Sequence, residues 1–154
     1  MDFDKLYNKT LHFLSFRPRS EKEVRDYLLK HKAGLETTEK IINKLKEYKF
    51  IDDEEFTRWW IEQRTILKPK ASRIIKFELK QKGIDRQLID SFFEDNKDST
   101  ADFTKALKLA ERKMSRYAKI EDKRKVYEKM GRFLASKGFN WDTIKAVIDQ
   151  ILGK

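Results

Sequence analysis

The sequence predicts an all-α chain, an elongated array of three tandem three-helix repeats. Three observations point there. Apolar residues step by three and four along nearly the whole length, with no period-two alternation of the kind a half-buried strand needs. The 154 residues include only five Gly and two Pro, and most of these fall between apolar stripes, where turns belong. Segments also match under fixed shifts. A shift of 51 takes Arg17-Pro18-Arg19-Ser20 onto Lys68-Pro69-Lys70-Ala71 and Leu28 onto Leu79. A shift of 55 takes Leu79 onto Leu134 and Gly83 onto Gly138, while the first unit carries Lys32 where the others have Gly. The repeats are expected at residues 1–52, 53–98 and 99–154. A triplet of this size buries its apolar stripe poorly alone and gains by stacking on a neighbour.

The first helix carries Phe3, Leu6, Tyr7, Leu11 and Leu14 and breaks at Pro18. Ser20-Glu21-Lys22-Glu23 is a capping box: the hydroxyl takes an orphan amide and Glu23 reaches back to the cap. Val24, Tyr27, Leu28 and His31 follow, and Gly34 is expected to end this helix. Thr37 or Thr38 is expected to cap the third, with Ile41, Ile42, Leu45 and Tyr48 on its stripe. Asp52 or Asp53 caps the fourth, with Glu54 and Glu55 in the first turn, where carboxylates favour the positive end of the helix dipole. Its stripe is Phe56, Trp59, Trp60 and Leu67, and Pro69 stops it. Ile74, Ile75 and Leu79 mark the fifth helix, closed by Gly83. Asp85 caps a sixth with Leu88, Ile89, Phe92 and Phe93, and the polar run Asn96–Thr100 reads as a linker. The last three stripes are Phe103, Leu107, Ala110, Met114; then Val126, Met130, Phe133, Leu134; then, beyond Gly138, Trp141, Ile144, Val147, Ile148, Ile151.

Composition bounds the function. Lys and Arg number 36 against 26 Asp and Glu, a net charge of +10, with 40% of residues charged. Aromatics at 12% are too many for a disordered polycation. No apolar run approaches the roughly 20 residues of a membrane helix. The acidic opening Met-Asp-Phe-Asp-Lys has no signal-peptide core, and the absence of Cys removes disulfides and thiolate zinc sites, so a cytoplasmic protein is expected.

Enzyme motifs are missing: there is no phosphate loop, no G-x-G-x-x-G and no H-E-x-x-H. His12 and His31 lie on or beside apolar stripes and read as packed or surface residues. Asp52-Asp53-Glu54-Glu55 is the one candidate for a Mg²⁺ site. Consecutive carboxylates at a helix start point in different directions, so helix capping by Asp52 and Asp53 is the better reading. No metal, cofactor or catalytic residue is expected.

Basic residues carry the stronger signal. Arg73, Lys76 and Lys80 lie at i, i+3 and i+7, on one helix face, with Lys68 and Lys70 just ahead. Arg17, Arg19 and Arg25 occupy the matching place in the first unit. In the third, Lys105, Lys108, Arg112, Lys113, Arg116, Lys119, Lys123, Arg124 and Lys125 run almost unopposed by acids. A phosphate polymer is the natural partner, since neutralising it releases counterions. Trp59, Trp60 and Trp141 are candidates for base stacking. Core packing is expected for Trp141 and for one of the adjacent pair.

Four segments resemble one family. Arg17-Pro18-Arg19-Ser20-Glu21-Lys22-Glu23-Val24 resembles the opening R-x-R-S-x-x-E-L of the RecX regulatory proteins, with Val24 in place of Leu. Phe50-Ile51-Asp52-Asp53-Glu54-Glu55-Phe56 is similar to their hydrophobic-D-D-x-x-F segment. Ile75 to Ile84 is similar to I-x-x-E-L-x-x-K-G-I, and Lys137-Gly138-Phe139 with Ile144 to G-F-x-x-x-x-I. Ala71 stands where the family commonly has Gly, and residues 102–137 match only by helix pattern.

The resemblance implies a non-enzymatic modulator of the RecA recombinase. Such a protein lies in the groove of the RecA–single-stranded DNA filament or caps its growing end. There it inhibits strand exchange, ATP hydrolysis and coprotease activity, and so modulates DNA repair and the SOS response. A monomer is expected, with non-specific contact to double-stranded DNA as an option. A stand-alone basic helical nucleic-acid-binding protein is the alternative. The charge is unevenly spread: residues 1–53 carry 12 basic and 10 acidic side chains, residues 54–98 carry 10 and 9, and residues 99–154 carry 14 and 7. That distribution suits a graded binder with a non-specific electrostatic end.

Overall fold

The computed structural model describes residues 2–98 and 100–153. Among these, the regular structure is entirely helical: α1 (Phe3–Ser15), α2 (Glu21–Lys30), α3 (Leu35–Glu47), α4 (Asp53–Glu62), α5 (Ser72–Gln81), α6 (Arg86–Asp95), α7 (Asp102–Tyr117), α8 (Lys123–Ser136) and α9 (Trp141–Ile151). A π-helical turn, Gln63–Leu67, continues α4. The contacts of the chain gather into two compact units, residues 1–60 with 78–90, and residues 61–77 with 91–154. Residues of the middle repeat are thus divided between the two units.

In the first unit α1, α2 and α3 close over Leu6, Tyr7, Val24, Leu28, Ile41, Ile42, Leu45 and Ile51. In the second, α7, α8 and α9 close over Ala106, Leu109, Ala110, Met130, Leu134, Phe139, Ile144, Val147 and Ile148, with Ala71 joining them. Each fully buried Leu or Ile stabilises the fold by about 1.5–3 kcal/mol relative to exposure, and Phe56, Ile61, Ile75, Leu79 and Ile89 are buried as well. Four stripe residues are exposed. They are Tyr48, Leu67, Phe103 and Trp141, the last 57% exposed on the first turn of α9, which corrects its expected place in the core.

The three repeats share one device at the end of the middle helix. Lys32, Gly83 and Gly138 all take left-handed backbone, at φ 60°, 78° and 94°. The amide of the following residue then bonds back: Ala33 to the Leu28 carbonyl at 3.0 Å, Ile84 to Leu79 at 3.0 Å and Phe139 to Leu134 at 3.4 Å. This is the six-to-one bond that satisfies the orphan carbonyls of a helix end. The first repeat keeps the geometry although its sequence puts Lys32 where the others have Gly. It follows that α2 ends at Lys30 and Gly34 does not close it. Gly34 instead precedes α3 with ordinary extended backbone and no side-chain cap. Neither Thr37 nor Thr38 is the cap, and Thr38 is buried inside the helix. At Gly138 an added Cβ would lie 2.1 Å from Ile74 Cδ1, so the turn also serves close packing.

Candidate nucleic-acid interface

Helix starts set the frame of the basic residues. Ser20 Oγ accepts the Glu23 amide at 3.2 Å while Glu23 Oε1 accepts the Ser20 amide at 3.1 Å, which is the expected capping box. Asp52 Oδ1 accepts the amides of Glu54 at 2.9 Å and Glu55 at 3.4 Å, capping α4. Asp53 turns elsewhere: its Oδ1 accepts the amide of Glu21, the first residue of α2, at 2.8 Å. The same relation recurs in the second unit, where Asp102 Oδ1 accepts the amide of Ser72 at 2.8 Å. Each of these carboxylates opens one repeat and caps the middle helix of the preceding one. Local patterning could not reveal these pairs, because the partners are 32 and 30 residues apart. The two adjacent aspartates therefore serve different helices and do not converge. Among the described residues no group of three or more His, Cys, Asp or Glu is placed to hold a metal ion.

In the first unit Arg17 and Arg25 already hold carboxylates, while Arg19 packs on an aromatic ring. Arg17 forms a two-pronged ion pair with Glu23, and Lys82 Nζ reaches the same carboxylate at 3.2 Å. Burial alone would raise the Glu23 carboxyl. The hydrogen bonds from Arg17 and the Ser20 amide, with the charges of Arg17 and Lys82, hold it below its ordinary value. The Arg17 guanidinium lies 5.8 Å from the ring centres of both Trp59 and Trp60. Trp60 Nε1 donates to Glu78 Oε1 at 3.3 Å, and both tryptophans are half-buried. Arg19 stacks 4.0 Å over Phe13 and points to the Phe13 carbonyl. Arg25 donates to Glu39 at 2.6 Å and to Glu21 at 2.9 Å, and these bonds raise its pKa further. His12 and His31 sit against Phe16 and Tyr27.

The other candidates differ in kind. Lys80 in the first unit, and Lys68, Lys70, Arg73, Lys76, Arg112, Arg116, Arg124 and Lys125 in the second, form no ion pair with a carboxylate among the described residues. Arg73 is exposed, with Nε on the Gly138 carbonyl at 2.9 Å. Lys76 is half-buried, its ammonium 5.0 Å from the Phe93 ring. Arg112 and Arg116 are exposed on α7. Lys123, Arg124 and Lys125 are exposed in the first turn of α8, where Asp122 is the cap and no acidic residue follows within the turn. Cations at the positive end of a helix repel its dipole, and an anion laid across them relieves that conflict.

Among the described residues no helix is long and apolar enough to cross a membrane. Three family models match the chain: RecX, first three-helix domain, over residues 7–45; RecX, second three-helix domain, over residues 52–91; and RecX, third three-helix domain, over residues 100–148. A regulatory protein RecX of Clostridium tetani is 38% identical over 98% of this chain and 69% of its own length. A namesake from Bacillus subtilis is 32% identical over 94% of this chain and 54% of its own length. Most relatives of this kind are matched over about half their length. The crystal structure of RecX from Lactobacillus salivarius is similar with a TM-score of 0.73 and 28% identity, over 96% of this chain and 95% of that one.

Proposed function

The chain belongs to the RecX family of regulatory proteins, and from that premise we propose that it modulates a RecA recombinase by binding the RecA–single-stranded DNA filament, without chemistry of its own. Bound in the groove or at the growing end, it inhibits ATP hydrolysis, strand exchange and coprotease function. One observation carries the reading: basic side chains without carboxylate partners among the described residues gather on α5, α7 and the start of α8. Arg73, Arg112, Arg116, Arg124 and Lys125 offer charge to a polyanion at little internal cost. Contacts to phosphate orient a protein without reading bases, so little sequence preference is expected. Arg17 and Arg25 act mainly by holding their own carboxylates.

Adding the protein to RecA, single-stranded DNA and ATP, then following hydrolysis, tests the reading. Suppression far below one protein per RecA supports end-capping, and a near-stoichiometric requirement supports groove binding. Unchanged hydrolysis at stoichiometric protein sinks the proposal. The third repeat, with 14 basic against 7 acidic residues, favours a second reading as a free-standing DNA binder. Tight DNA binding with no recombinase present, and no effect on hydrolysis, would select it.

A further inference from the structure

The π-helical turn after α4 forms one wall of a cleft in the second unit, of about 410 Å³. Turns of this kind are rare and frequently mark functional sites. The bonds are those of a widened turn, with the Lys68 amide on the Gln63 carbonyl at 3.0 Å. One result is visible at Thr65. Three other threonines, Thr10, Thr57 and Thr100, each donate the hydroxyl to the carbonyl four residues back, at 2.7–2.8 Å. Thr65 does not, and its Oγ1 is buried without a partner among the described residues. A buried hydroxyl left unbonded is unfavourable and calls for a partner.

Opposite the turn, α7 brings Lys105, Lys108 and Arg112 to the same cleft, at i, i+3 and i+7. Lys105 is 1% exposed, with its ammonium 3.2 Å from Ser72 Oγ and 3.5 Å from Asp102 Oδ1. Lys108 and Arg112 are exposed and have no ion-pair partner among the described residues. Half-buried Phe92 and exposed Ile66 supply apolar surface, and Glu62 adds a carboxylate acceptor.

We infer that this cleft binds one nucleoside phosphate. The phosphate lies on Lys108 and Arg112, which meet an anion with charge-assisted hydrogen bonds. The base lies against Phe92 and Ile66, and Thr65 Oγ1 gains its missing partner from the sugar or base. With Lys105 balanced by Asp102, the two exposed cations Lys108 and Arg112 against Glu62 suit a single phosphate group. The volume is near the lower end of the range for small-molecule sites and short for an extended acidic peptide. The nucleotide comes either free or as one unit of a single strand. Only the strand source rests on the filament reading.

The test is an NMR titration of the ¹⁵N-labelled full chain, with no recombinase present. The probes are AMP, penta-deoxyadenylate, inorganic phosphate and a Glu-rich peptide. The expected result is saturable shifts at Thr65, Phe92 and Lys108, with phosphate alone binding about tenfold more weakly or worse. Saturation by AMP identifies the free nucleotide, and saturation by the oligonucleotide alone identifies the strand. The double variant Lys108→Glu, Arg112→Glu loses about tenfold or more in affinity. Thr65→Val weakens binding while thermal stability stays equal or rises, a combination that a merely structural hydroxyl would not give. Equal affinity for phosphate and AMP, shifts at these residues from the peptide alone, or unchanged binding in the double variant overturns the inference. A failure to inhibit a RecA filament would leave these results standing.

Discussion

The carboxylate of Asp53 caps a helix other than the one it begins, accepting the Glu21 amide at 2.8 Å. Replacing it with Ala leaves that amide without its partner and should cost about 0.5–2 kcal/mol, as for other lost N-terminal caps. Asp53→Asn keeps an acceptor and should lose less. Urea unfolding of the two variants checks the order; equal losses would mean that the carboxylate acts by charge alone. Asp102→Ala should behave alike, since Asp102 holds the Ser72 amide in the same way.

Lys32 and Gly138 share a left-handed turn and should respond in opposite directions. Lys32 takes φ 60° with a side chain that disfavours it. Lys32→Gly should therefore stabilise the protein by about 0.5–1 kcal/mol. Gly138→Ala meets both a φ of 94° and a Cβ only 2.1 Å from Ile74 Cδ1. It should destabilise by about 2 kcal/mol or more. Thermal or urea unfolding reads both signs.

Glu23 ties the acid response to the Arg17 cluster. Its folded carboxyl titrates below the ordinary value of 4.5, against the upward push of burial. The stabilisation is present above the unfolded value and is lost as pH falls through the folded one. Glu23→Gln should weaken the fold at neutral pH and flatten the decline of stability between about pH 5 and pH 3. Asp53 works against this slope. Burial raises its carboxyl, so its contribution falls as pH rises from the unfolded value through the folded one. Urea midpoints across that range for the wild type, Glu23→Gln and Asp53→Asn separate the two.

Charge reversal separates cations that bind from cations that build. Arg73→Glu with Lys76→Glu should weaken filament inhibition while far-ultraviolet circular dichroism stays unchanged. Arg116→Ala and Arg124→Ala should each lower the slope of log affinity against log salt by about 0.7 on single-stranded DNA. Arg17→Ala should instead cost about 1–2 kcal/mol of stability, since it takes the two-pronged partner from a partly buried carboxylate and leaves it only Lys82 and the Ser20 amide. A loss of salt slope in Arg17→Ala with no loss of stability would reverse these roles.

The helices were legible because their cause is local. Spacing of three and four places Val24, Leu28, Ile75, Leu79 and Leu134 in cores, and the caps at Ser20, Asp52 and Asp85 act within three residues. What depends on distant partners was not. Arg17 and Arg25 counted as free charge, yet Glu23 holds the first from 6 residues away and Glu39, 14 residues away, joins Glu21 on the second. Lys105 read as one more surface cation on a basic helix, and it is buried against Ser72 and Asp102. Trp141 read as core because it precedes the stripe Ile144, Val147 and Ile148, but the first turn of α9 faces it outward. The cleft beside Thr65 depends on one widened turn, for which residue spacing has no signature.

The placement of Asp53 and Asp102 sets where this chain can be cut or copied. A piece ending at residue 52 would encode three whole helices with the Ser20 capping box of α2 intact, yet leave the Glu21 amide without its acceptor; ending one residue later restores it. The same holds for a cut before or after Asp102. The first two helix triplets are thus out of phase with their bonds, since each is completed by an aspartate that begins the first helix of the next.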